Sequence, residues 1–319
     1  MSFATASVLA VDLGGTSFRV ALVDADGHIL QRVRRPTLPE QGADAVILRI
    51  VQAAREILAG TTNVCAVGVA APGPLNPFTG VVMYASTLGW TDVPLRDLLS
   101  AALGLPAAID NDANLAALGE QRFGAARGFR DMAYITLSTG IGCGVILDDR
   151  LVRGSRGLAT ELGNTSVQFD SPVDHFGLPG ALEALAAGPA IAALAQRRLG
   201  AGDASVMRDL VGGRVETITA REVGEAANAG DALALSIVRY AARVIGIGVV
   251  NLLHMFDPAI VVIGGSVSTM GAVLWEPLRA MVRECAMLPY RNIPLVPAAL
   301  GDDSGLLGAA ALARGVVVM

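Results

Sequence analysis

Asp12 ends the apolar run Val8-Leu9-Ala10-Val11 and is followed by Leu13-Gly14-Gly15-Thr16. A carboxylate at a strand end beside two glycines suits phosphate chemistry, because a turn without Cβ atoms lets backbone N–H groups approach an anion closely. The carboxylate would then hold Mg²⁺ through water. An ordinary Gly-Gly hairpin accounts for the same five residues, so the motif alone leaves both readings open. Ser138-Thr139-Gly140-Ile141-Gly142 offers hydroxyls and a second backbone cradle. Asp110-Asn111-Asp112-Ala113-Asn114 precedes a helical pattern, and one of its polar residues is needed as the N-cap. Asp112 then falls at the positive end of the helix dipole, which favours the ionised form required of a base that takes a sugar hydroxyl proton. Glu161 and Glu183 flank an irregular stretch and fit solvated surface positions equally well.

The elements around these residues indicate how they would converge. Residues 8–11 and 18–23 read as strands around a tight hairpin, followed by the Asp24-Ala25-Asp26-Gly27 turn and a third strand. Residues 133–137, the glycine-rich turn, residues 145–147, the Asp148-Asp149 turn and residues 151–152 repeat that order about one domain length later. A duplicated strand–turn–strand unit suggests two similar lobes, each giving one loop to a shared cleft. Between the two units, residues 44–58, 95–102 and 113–122 carry helical patterns, residues 64–69 and 107–109 read as strands, and Ala71-Pro72-Gly73-Pro74 forces a loop. Residues 154–180 are irregular, and residues 181–199 read as one helix. A long helix over 231–255, a strand over 260–263, the Gly264-Gly265-Ser266 turn and a helix through 284 follow, and a small-residue helix after Gly305 closes the chain. The alternation of strands and helices argues for an α/β architecture.

Composition narrows the chemistry further. With 319 residues, 53% apolar and 17% charged, the chain can bury a sizeable core, as two compact lobes or one large α/β unit. Its 24 cationic side chains are all Arg, so a Walker-A lysine, a kinase strand lysine and a Schiff-base lysine are excluded. Phosphates must be met by backbone N–H groups, hydroxyls, metal or Arg. A net charge of -5 gives no footprint for nucleic acid. Cys65, Cys143 and Cys285 have no paired spacing, which fits a reducing compartment. The start carries no basic segment before Asp12, and the two longest apolar regions are interrupted by Ser138, Thr139, Asn251 and Asp257. A cytoplasmic protein without a membrane segment is expected.

The order of the motifs resembles the ROK sugar kinases (repressor, open reading frame, kinase), of the actin-like, hexokinase-like ATPase superfamily. Matching pieces run along nearly the whole chain: Asp12-Leu13-Gly14-Gly15-Thr16, Ala71-Pro72-Gly73-Pro74, Leu88-Gly89-Trp90, Asn111-Asp112-Ala113-Asn114, Leu137 to Gly142, Glu161-Leu162-Gly163, Gly177 with Gly180 and Glu183, Asp257-Pro258, Ile263-Gly264-Gly265 and Gly305 to Ala310. The resemblance implies two lobes, each a mixed sheet flanked by helices, with a cleft between them. An N-terminal lobe of residues 1–111, to which 304–319 return, would face a C-terminal lobe of 112–303, with hinge helices beginning near Asp112 and Ser304. It implies ATP and Mg²⁺ as cofactors. Asp12, Gly14, Gly15 and Thr16 would face the phosphates from one lobe, with Asp12 holding Mg²⁺ through water. Thr139 and Gly140 would face them from the other, while Gly264 and Gly265 would border the adenosine. Gly73, Asn111 and Asp112 would bind the sugar, with Asp112 as the general base, and Glu161, Asn164 and Glu183 would complete its site.

Two departures stand out. Asn164 occupies the position where the family commonly has a histidine that binds zinc and touches the sugar. Asp174, Phe176 and Ala181 replace the three cysteines of the family's zinc loop, while Gly177, Gly180 and Glu183 remain. No zinc is expected, and Phe176 and Ala181 point instead to apolar packing as what fixes the loop carrying Glu183. The resemblance thus implies ATP-dependent phosphorylation of a hexose, glucose first, by a homodimer. Fructose, mannose, N-acetylmannosamine or a polyphosphate donor stay open within the class. A sugar-binding ROK regulator is the alternative, but its helix-turn-helix segment would have to precede a first strand that already begins near Val8.

Overall fold

The computed structural model describes residues 6–61 and 63–318. The chain forms two compact units. The first holds the described residues up to Tyr134, Gly144–Thr160 and those from Ala298 onward; the second holds Ile135–Cys143 and Glu161–Pro297.

In the first unit a five-stranded sheet runs in the order Ile29–Pro36, Ser17–Val23, Ser7–Leu13, Val64–Ala71, Ala107–Asn111. The first three strands form an antiparallel meander and the last three are parallel. The middle strand reads as a continuous apolar run because both of its faces are covered. Leu9, Val11 and Leu13 pack with residues of the helices Ala43–Leu58 and Leu95–Leu103. Val8 and Ala10 pack on the other face, with Leu115 and with Leu306, Ala309 and Ala313. These belong to the helices Asp112–Phe123 and Ser304–Val318, which touch through their backbones: an added Cβ at Gly308 would stand 1.6 Å from the Leu115 carbonyl oxygen. Only glycine permits that approach. A small antiparallel sheet, Leu75–Asn76, Val81–Ala85 and Trp90–Val93, was not legible in the sequence, its strands being too short to show alternation.

The second sheet runs Arg150–Leu151, Ile141–Leu147, Met132–Leu137, Ile260–Gly264, Leu295–Pro297. The expected single helix over 181–199 is two, Leu182–Ala186 and Gly188–Gly200. Pro189 lacks an N–H and starts the second helix, while the Gly188 N–H donates outside it, to the Ser138 carbonyl at 2.8 Å. The helix Ala232–Phe256 begins at Asp231, whose side chain accepts the Ala234 N–H at 2.9 Å. By length and composition this helix would cross a membrane, despite Asn251. Its most apolar window is 67% buried inside the protein, as a core helix is.

Candidate functional site

In the first unit, strand register collects the predicted residues at one edge. Asp12 lies beside Ala70 on the neighbouring parallel strand, Ala70 beside Asp110, and Ala71 beside Asn111. Asp12, the loop carrying Gly73, and Asn111-Asp112 therefore leave the sheet together at the carboxyl ends of parallel strands, the usual ligand edge of an α/β sheet. The Gly14 N–H is used by the hairpin itself, donating to Ser17 O at 3.1 Å, so only Gly15 and Thr16 carry turn N–H groups outside that bond.

Asp12 also has a partner that sequence reasoning missed. Arg19 faces it directly across the hairpin and donates Nε to Asp12 Oδ2 at 3.1 Å, with Nη2 on the same oxygen. Arg19 Nη1 reaches Asp303 Oδ1 at 3.1 Å, and Arg32 Nη2 meets Asp303 Oδ2 at 2.6 Å. Counting the hairpin register outward from the Gly14–Ser17 turn would have found Arg19.

Asn111, rather than either aspartate, is the N-cap: its Oδ1 accepts the Asn114 N–H at 2.7 Å. Asp112 is the first helical residue, its Oδ1 accepting the Ala113 N–H at 2.8 Å. Below it, Asp110 is fully buried, and its carboxylate takes the Asn111 N–H and Asn114 Nδ2 on one oxygen and Arg153 Nε on the other at 2.6 Å. Every lone pair facing the interior is thereby met, which is what lets a carboxylate sit at zero exposure.

In the second unit, the turn after Leu137 brings Ser138 Oγ to 3.3 Å from Ser266 Oγ, and Gly265 packs on the Leu137 backbone. A cavity of about 620 Å³ opens there, lined by Thr139, Ser266 and Thr269 and by Thr219, Glu225 and Asn228. Gly264 ends its strand in the core, and neither it nor Gly265 lines the cavity; the next residue, Ser266, does. The helix Ala220–Asn228 supplies the far wall, and sequence reasoning passed over it although its capping box was visible: Thr219 caps and Glu222 returns the bond. Glu161 and Asn164 share one turn, with Asn164 Nδ2 donating to Glu161 Oε2 at 3.0 Å. Glu183 lies apart from that pair's hydrogen bond and accepts the Ile141 N–H at 2.7 Å. Cys143 is buried, and burial first and the Glu161 carboxylate second push its thiol far up, so it is no nucleophile.

The ROK family description matches residues 8–316. The chain belongs to the ROK family. It is similar to the glucokinase of Thermotoga maritima, 36% identical over 309 residues covering 96% of this chain and 97% of that one. The crystal structure of a ROK family glucokinase from Streptomyces griseus in complex with glucose and AMPPNP superposes with a TM-score of 0.82 at 35% identity, over 97% of this chain and 99% of that chain. A putative xylose repressor of a Caldicellulosiruptor species is 29% identical across 96% of this chain, which spans 77% of that protein.

The four positions that carry zinc ligands in the ROK pattern make no such set here. Asn164 is bonded to Glu161, Asp174 and His175 form a two-residue strand, Phe176 is 91% exposed, and Ala181 is fully buried without a ligand atom. The only group of three or more potential ligands among the described residues, Asp24, Asp26 and His28, lies in an exposed turn of the first unit. Hydrogen bonds fix the ROK loop instead: Val167 N–H to Gly180 O at 2.9 Å, Gly180 N–H to Val173 O at 2.7 Å, Leu182 N–H to Thr165 O at 2.9 Å, and Ser166 Oγ to Pro179 O at 2.7 Å. Apolar packing holds for Ala181 and fails for Phe176, which sits at a left-handed turn position with its ring against His175, centroids 4.1 Å apart. Phe176→Ala is accordingly expected to shift stability by less than about 0.5 kcal/mol in urea unfolding, as exposed substitutions do.

Proposed function

We propose that this ROK protein transfers the terminal phosphoryl group of ATP to a hexose hydroxyl, with glucose as the first substrate to try. The observation that carries the reading is Asp112, which starts a helix on the same sheet edge as Asp12, two residues after the buried Asp110 that pairs with Arg153. In this reading Asn111 and Gly73 bind the ring beside Asp112, and Asp112 aligns the attacking hydroxyl and accepts its proton. Glu161 and Asn164, already joined, offer hydrogen bonds to further hydroxyls, and Glu183 is the third residue this reading gives to the sugar. Gly15, Thr16, Thr139 and Gly140 meet the phosphates, and the 620 Å³ cavity, with Ser266 following Gly264 and Gly265, receives the adenosine.

Mg²⁺ would neutralise phosphate charge during transfer. Asp12 suits it through water: Arg19 occupies Oδ2, leaving Oδ1 for a hydrated cation. We propose that zinc has no part, since the positions at 164, 174, 176 and 181 lack its tetrahedral ligand set. The test is ADP release from purified protein with MgATP across glucose, fructose, mannose, N-acetylmannosamine and a sugar-free control, with zinc content measured on the same sample. Hexose-dependent ADP release is expected, without stoichiometric zinc. ADP release indifferent to every sugar would remove the reading.

A further inference from the structure

Glu183 is the predicted site residue whose surroundings match its expected role least. It stands in the first turn of Leu182–Ala186, about a third exposed, and its two carboxylate oxygens face different partners. Oε2 accepts the backbone N–H of Ile141 at 2.7 Å. Oε1 lies 3.6 Å from His175 Nε2, on the hairpin formed by Asp174–His175 and Leu178–Pro179. Gly140 presses on the same carboxylate, since a Cβ there would stand 2.6 Å from Oε2. The loop so gripped is closed on its other side by the Ser138 N–H donating to Gly140 O at 2.9 Å, and Ser138 and Thr139 line the 620 Å³ cavity.

We propose that Glu183 is a positioning residue for the nucleotide: it fixes the backbone of residues 138–141, and His175 steadies it from the other oxygen. The inference rests on the kinase reading and adds a role on the nucleotide side to a residue otherwise assigned to the sugar. A hydrogen bond from a backbone N–H to a carboxylate is stronger than a neutral one, and this one orients the peptide plane between Gly140 and Ile141. The peptide carbonyl of Gly140 then holds the Ser138 N–H, so one carboxylate sets the shape of the turn. The hairpin bearing His175 is thereby connected mechanically to the loop that would meet phosphates, through a single side chain.

Nucleotide affinity measured without sugar separates this role from sugar contact. Calorimetric titration of the full chain with MgADP is expected to show Glu183→Ala weakening binding by about 10-fold or more, the worth of a hydrogen bond to a charged group. Glu183→Gln should recover most of it, because the amide oxygen still accepts from Ile141. His175→Ala should weaken binding by up to about 5-fold, as exposed ion pairs do, and should add nothing in the Glu183→Ala background. Glu183→Asp keeps the test open if Glu183→Ala misfolds: its shorter side chain keeps the charge but withdraws the oxygen from the Ile141 N–H, so it should weaken binding as Glu183→Ala does. Equal sugar-free affinity in wild type and the Glu183 variants would overturn this inference and leave the kinase reading standing. A wild-type chain that binds no MgADP would overturn both.

Discussion

Asp112→Asn is expected to lower kcat for the accepted hexose by roughly 10²- to 10⁴-fold, the usual worth of a positioned base. The substitution isolates proton transfer because the local structure can survive it. The bond from the Ala113 N–H to Oδ1 can pass to an amide oxygen, and the cap belongs to Asn111, not to Asp112. The buried Asp110 keeps its own three donors, Asn111 N–H, Asn114 Nδ2 and Arg153 Nε. What the amide loses is basicity, so kcat should fall while MgADP affinity and the unfolding midpoint stay where they were. Coupled ADP detection at saturating sugar makes the measurement. Turnover at the wild-type rate would take Asp112 out of the chemistry.

The largest effect on stability should come from Glu120, which carries no chemistry. Its side chain is fully buried on the helix Asp112–Phe123 and, among the described residues, has no cationic partner in hydrogen-bond contact. Instead it accepts four bonds: from the N–H groups of Ala125 at 2.8 Å, Ala299 at 3.1 Å and Leu300 at 2.9 Å, and from Ser304 Oγ at 2.9 Å. Removing it leaves three partly buried backbone donors without their acceptor, each costing about 1–3 kcal/mol, while Ser304 Oγ keeps the Gly301 carbonyl at 2.9 Å. Even with partial repair by water, Glu120→Ala should lose on the order of 3–5 kcal/mol, the cost of three unmet donors less that repair. Glu120→Gln should also destabilise, since its NH₂ group faces donors. Urea unfolding monitored by circular dichroism gives the comparison, and a loss under about 1 kcal/mol would mean that water substitutes for the carboxylate.

Much of this fold was legible because its strands and helices obey local rules. The hairpin at Gly14-Gly15, the helix from Ala43 to Leu58 and the long helix capped by Asp231 sit where periodicity and capping residues put them. The carboxylates at strand ends were visible too, since Asp12 and Asp112 interrupt apolar runs. What the sequence concealed depends on chain segments far apart in number. Glu120 lies on an ordinary helical pattern, and only the return of residues 299–304 explains its burial. Arg153, at the edge of an irregular stretch, meets Asp110 from 43 positions away. Phe176 read as core because it is apolar, yet its left-handed backbone turns the ring outward. Glu183 read as a surface or sugar residue, and its bond to a main-chain N–H leaves no mark in the sequence.

The contact between Leu115 and Gly308 has a consequence for how Asp112 keeps its place. Side chains in a packed interface still exchange rotamers, so a helix seated on them inherits some of their disorder. Here the helix that begins with Asp112 rests on main chain, and the partner helix begins with Ser304, beside the Asp303 that pairs with Arg19. Heating would loosen rotamers elsewhere before it blurred this seat. The same closeness makes the seat unforgiving to drift: at Gly308 the smallest change available to evolution, one methyl group, would lever the helix that Asp112 begins off its neighbour.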